Sequence, residues 1–243
     1  MTAEANANTP SRANVWQMFD RIAHRYDLLN RMLSFGRDVA WRKRLAKNLP
    51  DGDALRVLDL ATGTGDLLFA MHEGGRVGFG RGLDLSEEML RHGREKVQAR
   101  GLSDCLELAH GDAMDIKEDD SSYDAVTISF GIRNVLDVDV SLKEMLRVLK
   151  PGGRVLILET SIPANPIVRM GYLLYFRYIL PFVGGLISGD RSAYHYLNKT
   201  SETFPYGPAF VSLMDTAGFD NARALPLTFG VATLYIGERG SDV

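Results

Sequence analysis

At 243 residues and a net charge of −3, the chain is long enough for one large α/β core and carries no overall charge that would favour nucleic acid. The single cysteine, Cys105, excludes an internal disulfide and a multi-thiolate zinc site, and the five histidines (24, 72, 92, 110 and 195) fall into no metal-ligand spacing, so no metal is expected. The opening M-T-A-E-A-N-A-N-T-P-S-R lacks the apolar core of a secretion signal, which makes a cytoplasmic location the expectation.

Residues 1–13 are small and polar and read as a disordered N-terminus, leaving 14–243 as a single domain. Val15, Met18, Phe19, Ile22, Tyr26, Leu29, Met32 and Leu33 recur at helical spacing, and a second helix is expected from Asp38 to Asn48 with Trp41 and Leu45 on its apolar side. Because these helices precede the first strand, residues 14–50 are expected to cover a ligand cleft; packing on the sheet is the alternative for most of their apolar residues.

Val57-Leu58-Asp59-Leu60 reads as a buried parallel strand, Ala61-Thr62-Gly63-Thr64-Gly65 as a tight turn, and D-L-L-F-A-M from Asp66 as a helix with an acid in its first turn. Strand, glycine turn and helix is how a Rossmann-like sheet turns backbone N–H groups toward a nucleotide-type ligand. The dinucleotide fingerprint would need glycine at position 68, where this chain has Leu68.

Val77 to Leu83 reads as a second strand ending in Asp84, where a carboxylate binds ribose hydroxyls. Ser86 caps a helix running to about Arg100, and Cys105 to Ala109 is the third strand. Asp112, in the turn after it, is either a turn residue or an acceptor for an adenine amine. Ser122 to Ser129 is the fourth strand, Asp137 to Lys150 an amphipathic helix stopped by Pro151-Gly152-Gly153, and Arg154 to Glu159 the fifth strand. Residues 218–225 and 227–236 read as a terminal antiparallel hairpin turning around Pro226, a feature of methyltransferase sheets and not of dehydrogenases.

Residues 161–210 form a helical insertion after strand five. Its stretch 167–187 is apolar and aromatic, but Arg169, Arg177, Pro181 and Gly184-Gly185 interrupt it well short of the roughly 18 residues of a membrane span. It lines a pocket for a greasy substrate, or it is an ordinary buried hairpin.

The acid two residues before the small-residue turn, D-L-A-T-G-T-G, resembles the first motif of S-adenosylmethionine-dependent methyltransferases, and methyl transfer from a sulfonium needs alignment more than acid–base chemistry. The loop after strand four, Ser129-Phe130-Gly131-Ile132, lacks the Asn/Asp-Pro-Pro-aromatic pattern of amine methylators, and Cys105 is not placed as a nucleophile for a pyrimidine carbon. The acceptor is therefore one activated by its own chemistry, such as a phenol or quinol. Arg133 is the cation best placed to stabilise a phenolate, with a structural ion pair as the alternative.

The segments 19–36 (F-D-R-I-A-H-R-Y-D-L-L-N-R-M-L-S-F-G), 57–67 (V-L-D-L-A-T-G-T-G-D-L), 111–113 (G-D-A), 127–135 (T-I-S-F-G-I-R-N-V), 149–159 (L-K-P-G-G-R-V-L-I-L-E), 194–197 (Y-H-Y-L), 204–205 (F-P) and 217–219 (A-G-F) together resemble the ubiquinone/menaquinone biosynthesis C-methyltransferase family. The resemblance implies an α/β fold: a Rossmann-like, doubly wound, seven-stranded sheet of the class I S-adenosylmethionine-dependent methyltransferase type. It implies S-adenosyl-L-methionine as donor and a prenylated quinol carbon as acceptor, with demethylmenaquinol favoured by the C-terminal L-T-F-G-V-A-T-L-Y-I-G and a benzoquinol as a second substrate. Cofactor residues carry over to Thr64, Asp84, Asp112, Ala113 and Ser129, and the acid and glycines of the D-L-A-T-G-T-G turn add Asp59, Gly63 and Gly65 as cofactor candidates. The quinol-activating pair falls on Arg133 and Asn134, and substrate contacts on Tyr26, Tyr194 and His195. A prenyl tail must be shielded from water, so 167–187 is expected to form a pocket or a peripheral membrane contact at the inner face of the cell membrane; homodimerisation stays open.

Two positions depart from the family pattern. Thr62 replaces a glycine, so the backbone there must not need positive φ, and Ala193 stands where a serine is usual. The competing readings are a methyltransferase for a sterol or phospholipid, a non-catalytic cofactor-binding subunit, and a dehydrogenase.

Overall fold

A computed structural model describes residues 14–181, 198 and 200–241. The expected disordered stretch 1–13, and with it the substrate candidates Tyr194 and His195, lie outside the described residues, as does part of 167–187.

Seven strands form one sheet in the order β3-β2-β1-β4-β5-β7-β6: β1 (Leu55–Leu60), β2 (Val77–Asp84), β3 (Leu106–His110), β4 (Tyr123–Ser129), β5 (Leu149–Thr160), β6 (Asp220–Leu227) and β7 (Ala232–Glu238). β1 to β5 run parallel, while β7 lies antiparallel to both β5 and β6. Ligand-facing loops therefore gather at the carboxyl ends of β1, β2, β3 and β4.

Helices cover both faces, which is why the central strands are near-continuous apolar runs. Val57 joins a cluster with Leu45, Leu68, Leu90 and Leu108 on the face of α2 (Arg37–Ala46), α3 (Asp66–His72) and α4 (Glu87–Ala99). Leu58 and Leu60 face the other way, toward Leu142 and Met145 of α5 (Val138–Val148) and, beyond helix α6 (Pro166–Leu174), toward Phe210 and Met214 of α7 (Pro208–Ala217).

α1 (Val15–Leu33) belongs to neither layer. Val15, Met18 and Leu29 pack with Phe176 and Leu180, which follow α6 (Pro166–Leu174) in a wider helical turn, and this third cluster roofs the loop end of the sheet. The cover expected of residues 14–50 is thus divided. α1 forms the roof, whereas α2 sends Leu45 and Ala46 into the sheet core and turns Arg37, Asp38 and Trp41 toward the space beneath the roof.

Two boundaries differ from the sequence reading. β5 begins at Leu149, before Pro151-Gly152-Gly153, because Leu149 pairs with Tyr123 and Gly152 and Gly153 exchange backbone hydrogen bonds with Arg239. Pro151 lacks an N–H, and the strand tolerates it at this irregular start. The closing hairpin turns through Thr228-Phe229-Gly230 and not at Pro226, which sits within edge strand β6 opposite Thr233.

Candidate active site

Two cavities of about 470 and 380 Å³ open side by side at the loop end of the sheet. Phe19, Tyr26, Phe130 and Asn134 line both and so form the partition between them.

The smaller cavity is built from the strand ends. Gly63, with φ 58°, donates its N–H to Asp84 Oδ2 at 2.8 Å, and Asp84 Oδ1 accepts the Ser86 N–H at 2.8 Å. Burial pushes the Asp84 carboxyl above its usual range, against these donors. Each carboxylate oxygen keeps capacity for a further donor, the pattern a vicinal diol requires. Across the cavity stand Asp112, whose Oδ1 accepts the Met114 N–H at 2.9 Å, together with Ala113, Met114 and Ser129. The lining combines carboxylates with Met89, Leu85 and Val135, a mix suited to a nucleoside with an apolar face. Ala61 and Phe130 hold φ of 46° and 57° at this site, a strained backbone for side-chain-bearing residues.

Three expected cofactor residues do not line this cavity. Asp59 is buried beneath the turn, where Thr62 and Thr127 donate their hydroxyls to its two oxygens, each at 2.7 Å. Burial raises its carboxyl to about 7. It holds the turn and is sealed from a ligand. Thr64 points away, donating to Asp27 of α1 at 2.7 Å and accepting from Lys96 of α4 at 2.9 Å. Gly65 precedes α3 with φ 81°, its Cα side facing Phe69 and Leu108. Thr62 stays outside the left-handed region, as the loss of glycine there demands. Leu68, in place of the dinucleotide glycine, packs onto β2 where Gly80 has no side chain; a Cβ on Gly80 would come 3.0 Å from it.

The larger cavity lies under the roof, among Met18, Ile22, Leu29, Trp41, Tyr172, Phe176 and Leu180. Trp41 sits 6.0 Å from the Phe130 ring, and its Nε1 donates to Thr228 Oγ1 at 2.8 Å. Tyr26 stands edge-on to Phe19 at 5.8 Å; burial raises its phenol, so its hydroxyl remains a donor.

Arg133 and Asn134 occupy a single 3-10 turn (Ile132–Asn134) after β4, and both line this cavity. Arg133 is ion-paired with Glu159 at the end of β5, both nearly fully buried. Arg133 makes a structural ion pair and also lines this cavity. The pair carries no net charge, so the guanidinium acts through directed N–H groups. Arg133 Nε and Asn134 Oδ1 are buried without a hydrogen-bond partner among the described residues, a donor and an acceptor on adjacent residues at the larger cavity.

Trp41, Asp38, Tyr172, Phe176 and Thr228 reach the cavity from α2, α6 and its extension, and the closing hairpin; their sequence separations gave no signal of the meeting. No cluster of metal-ligating side chains occurs among the described residues.

A seven-stranded mixed sheet with helices on both faces is the fold of the class I S-adenosylmethionine-dependent methyltransferases. The solved structure of a SAM-dependent methyltransferase from Thermotoga maritima, a possible histamine N-methyltransferase, has the same fold (TM-score 0.64, 18% identity, covering 92% of this chain and 99% of that one). The profile of the ubiE/COQ5 methyltransferase family matches residues 6–239. A demethylmenaquinone methyltransferase of Thermus thermophilus is 45% identical over 91% of this chain and 100% of its own length. One from Staphylococcus aureus is 39% identical over 97% of each. The chain belongs to the ubiE/COQ5 methyltransferase family.

Proposed function

We propose that this protein transfers the methyl group of S-adenosyl-L-methionine to a ring carbon of demethylmenaquinol, forming menaquinol. The observation that carries this reading is the shared partition. Phe19, Tyr26, Phe130 and Asn134 border both the Asp84–Asp112 cavity and the aromatic cavity, so donor and acceptor would meet across four side chains. Relatives named demethylmenaquinone methyltransferase support the choice of quinol.

In this reading Asp84 takes the ribose hydroxyls, Asp112 and Ala113 the adenine edge, and Gly63 and Ser129 the amino-acid end. The bound donor supplies an electrophilic methyl group. The chain supplies alignment, which is worth on the order of 7–11 kcal/mol when two reactants are held in register. It also supplies dryness: the roof of Met18, Leu29, Phe176 and Leu180 keeps water from the sulfonium. Arg133 and Asn134 present N–H and C=O groups to the quinol oxygens.

The tail is the reason for a membrane contact. Ile167, Met170, Leu174 and Tyr178 are exposed at spacings of three and four along α6 and its extension, next to the aromatic cavity lined by Tyr172 and Phe176. We propose that this stripe rests on the lipid surface from which the prenyl tail enters. No helix among the described residues is long and apolar enough to cross a membrane.

The test is a methyl-transfer assay with labelled donor and demethylmenaquinol, set beside a benzoquinol, a sterol and phosphatidylethanolamine. Label on demethylmenaquinol is expected; label only on a sterol or phospholipid, or on none of them, contradicts the proposal.

A further inference from the structure

Asp38 is the one carboxylate lining the aromatic cavity among the described residues; Glu159 lies behind Arg133 and does not border it. Its position is built. It sits in the first turn of α2, where the helix dipole favours an anion. Ser34 Oγ donates to Oδ1 at 2.8 Å, Arg42 Nη1 donates to Oδ2 at 2.7 Å, and Arg31 of α1 stands 3.8 Å from Oδ2. Arg42 is shared with Asp66 of α3 at 3.4 Å, so its charge is not spent on Asp38 alone. A carboxylate accepts about four hydrogen bonds, so these donors leave room for one from the cavity. Asp38 is 2% exposed, and bulk water does not reach it freely.

An aromatic carbon attacks a methyl group well only when its hydroxyl gives up a proton, and a free phenol ionises near pH 10. Arg133 is held by Glu159, and a guanidinium offers donors and no acceptor. The remaining titratable groups of the cavity, Tyr26, Arg37, Tyr172 and Tyr175, are phenols raised by burial or a further arginine.

We infer that Asp38 is the general base that takes the hydroxyl proton of the acceptor; this rests on the reading of the acceptor as a quinol. The O–H bond breaks and its proton passes to Asp38. The electron pair delocalises onto the ring carbon, which bonds to the methyl group as the sulfur–methyl bond breaks and leaves its pair on sulfur. The carbon, now bearing both hydrogen and methyl, loses that hydrogen as a proton to water. The ring regains aromaticity, and the oxygen recovers its proton from Asp38. One proton is released per turnover and the carboxylate is restored.

The test compares the intact enzyme with Asp38→Asn on demethylmenaquinol, with kcat and KM followed across pH. A base at Asp38 gives a fall of about 10²–10⁴ in kcat at neutral pH. KM changes little, and the rate of the variant climbs tenfold per pH unit toward the ionisation of the quinol while the parent stays level. A quinol acidified by a ring substituent then regains more rate in the variant than in the parent. Asp38→His, which keeps a base, recovers part of the rate with an acid limb near its own pKa of about 6.5 and carries the test if Asp38→Asn does not fold. The groups facing Asp38 are Arg31, Arg42, Asp66 through Arg42, and the cavity phenols and arginines named above; none supplies a base with that profile. A variant with parental rate and pH profile, or with a pH-independent loss that acidified quinols do not relieve, overturns the inference. Parent turnover on demethylmenaquinol is measured first. Its absence overturns the quinol reading and this inference together, whereas parent turnover with an unaffected variant overturns Asp38 alone.

Discussion

Arg133 on the turn after β4 and Glu159 at the end of β5 are each other's counter-ions, with 6% and 1% of their side chains exposed. Glu159 Oε1 also accepts the Thr160 N–H at 2.7 Å, which ties the pair to the strand backbone. The guanidinium is thereby aimed, and its charge is cancelled where it meets the larger cavity.

Removing one member strands the other charge in the interior, a loss of about 3–5 kcal/mol. Arg133→Met and Glu159→Gln should each lower the midpoint of urea unfolding. The double substitution, which leaves no lone charge and keeps an acceptor for the Thr160 N–H, should restore most of the stability without restoring methyl transfer. If the double variant methylates at the parental rate, the pair is only structural.

Asp84 accepts two backbone N–H groups and faces the smaller cavity. Asp84→Ala should weaken S-adenosylhomocysteine by roughly 1–3 kcal/mol in calorimetry, the cost of losing buried hydrogen bonds. The affinity of a free quinol analogue for the larger cavity should stay within a few-fold of the parental value.

Asp59 carries a pH signature. Its folded carboxyl is held at about 7 by burial, well above its value of 3.8 in an unfolded chain. The folded state therefore binds a proton that the unfolded state has lost between about pH 4 and 7, and this group's contribution to stability is present below pH 4 and disappears as pH rises through 7. Asp59→Asn cannot lose that proton. It should be more stable than the parent at pH 8, by an amount on the order of a few kcal/mol, with the two curves converging near pH 4. Equilibrium unfolding at four pH values between 4 and 8 measures the difference; a constant gap would show that Asp59 is not raised.

The exposed stripe separates lipid contact from chemistry. Ile167→Asp and Met170→Asp should reduce cosedimentation with vesicles several-fold and slow turnover of a long-tailed quinol. Turnover of a quinol with a single isoprene unit in detergent should be unchanged, because neither residue lines either of the two adjoining cavities at the loop end of the sheet.

The parallel core was legible because each part carries a local signal. The Val57–Leu60 run, the glycine turn, Ser86 as a cap accepting the Met89 N–H at 3.2 Å, and Asp137 capping α5 all follow from nearest-neighbour chemistry. Pro151 and Pro226 misled the reading of the strands because a strand edge tolerates a missing N–H. The hairpin instead turns on Thr228 and Phe229, which hold φ of 45° and 59° without being glycine, so composition did not mark them. Asp59 resembled a ligand contact because it is two residues from the turn. Strand alternation directs it to the face of Val57, where Thr62 and Thr127 meet it. The apolar stretch 167–187 and the cover of residues 14–50 marked a pocket but not its far wall: Trp41 and Thr228 are 187 positions apart, and only the sheet order brings α2 beside the closing hairpin.

The most direct measurement is the quinone content of a strain lacking this protein. Accumulation of demethylmenaquinone at the expense of menaquinone is expected, reversed by the parental chain and not by the Arg133→Met, Glu159→Gln double variant. A deletion strain with unchanged menaquinone, in which no other protein supplies the methyl transfer, would contradict the assignment.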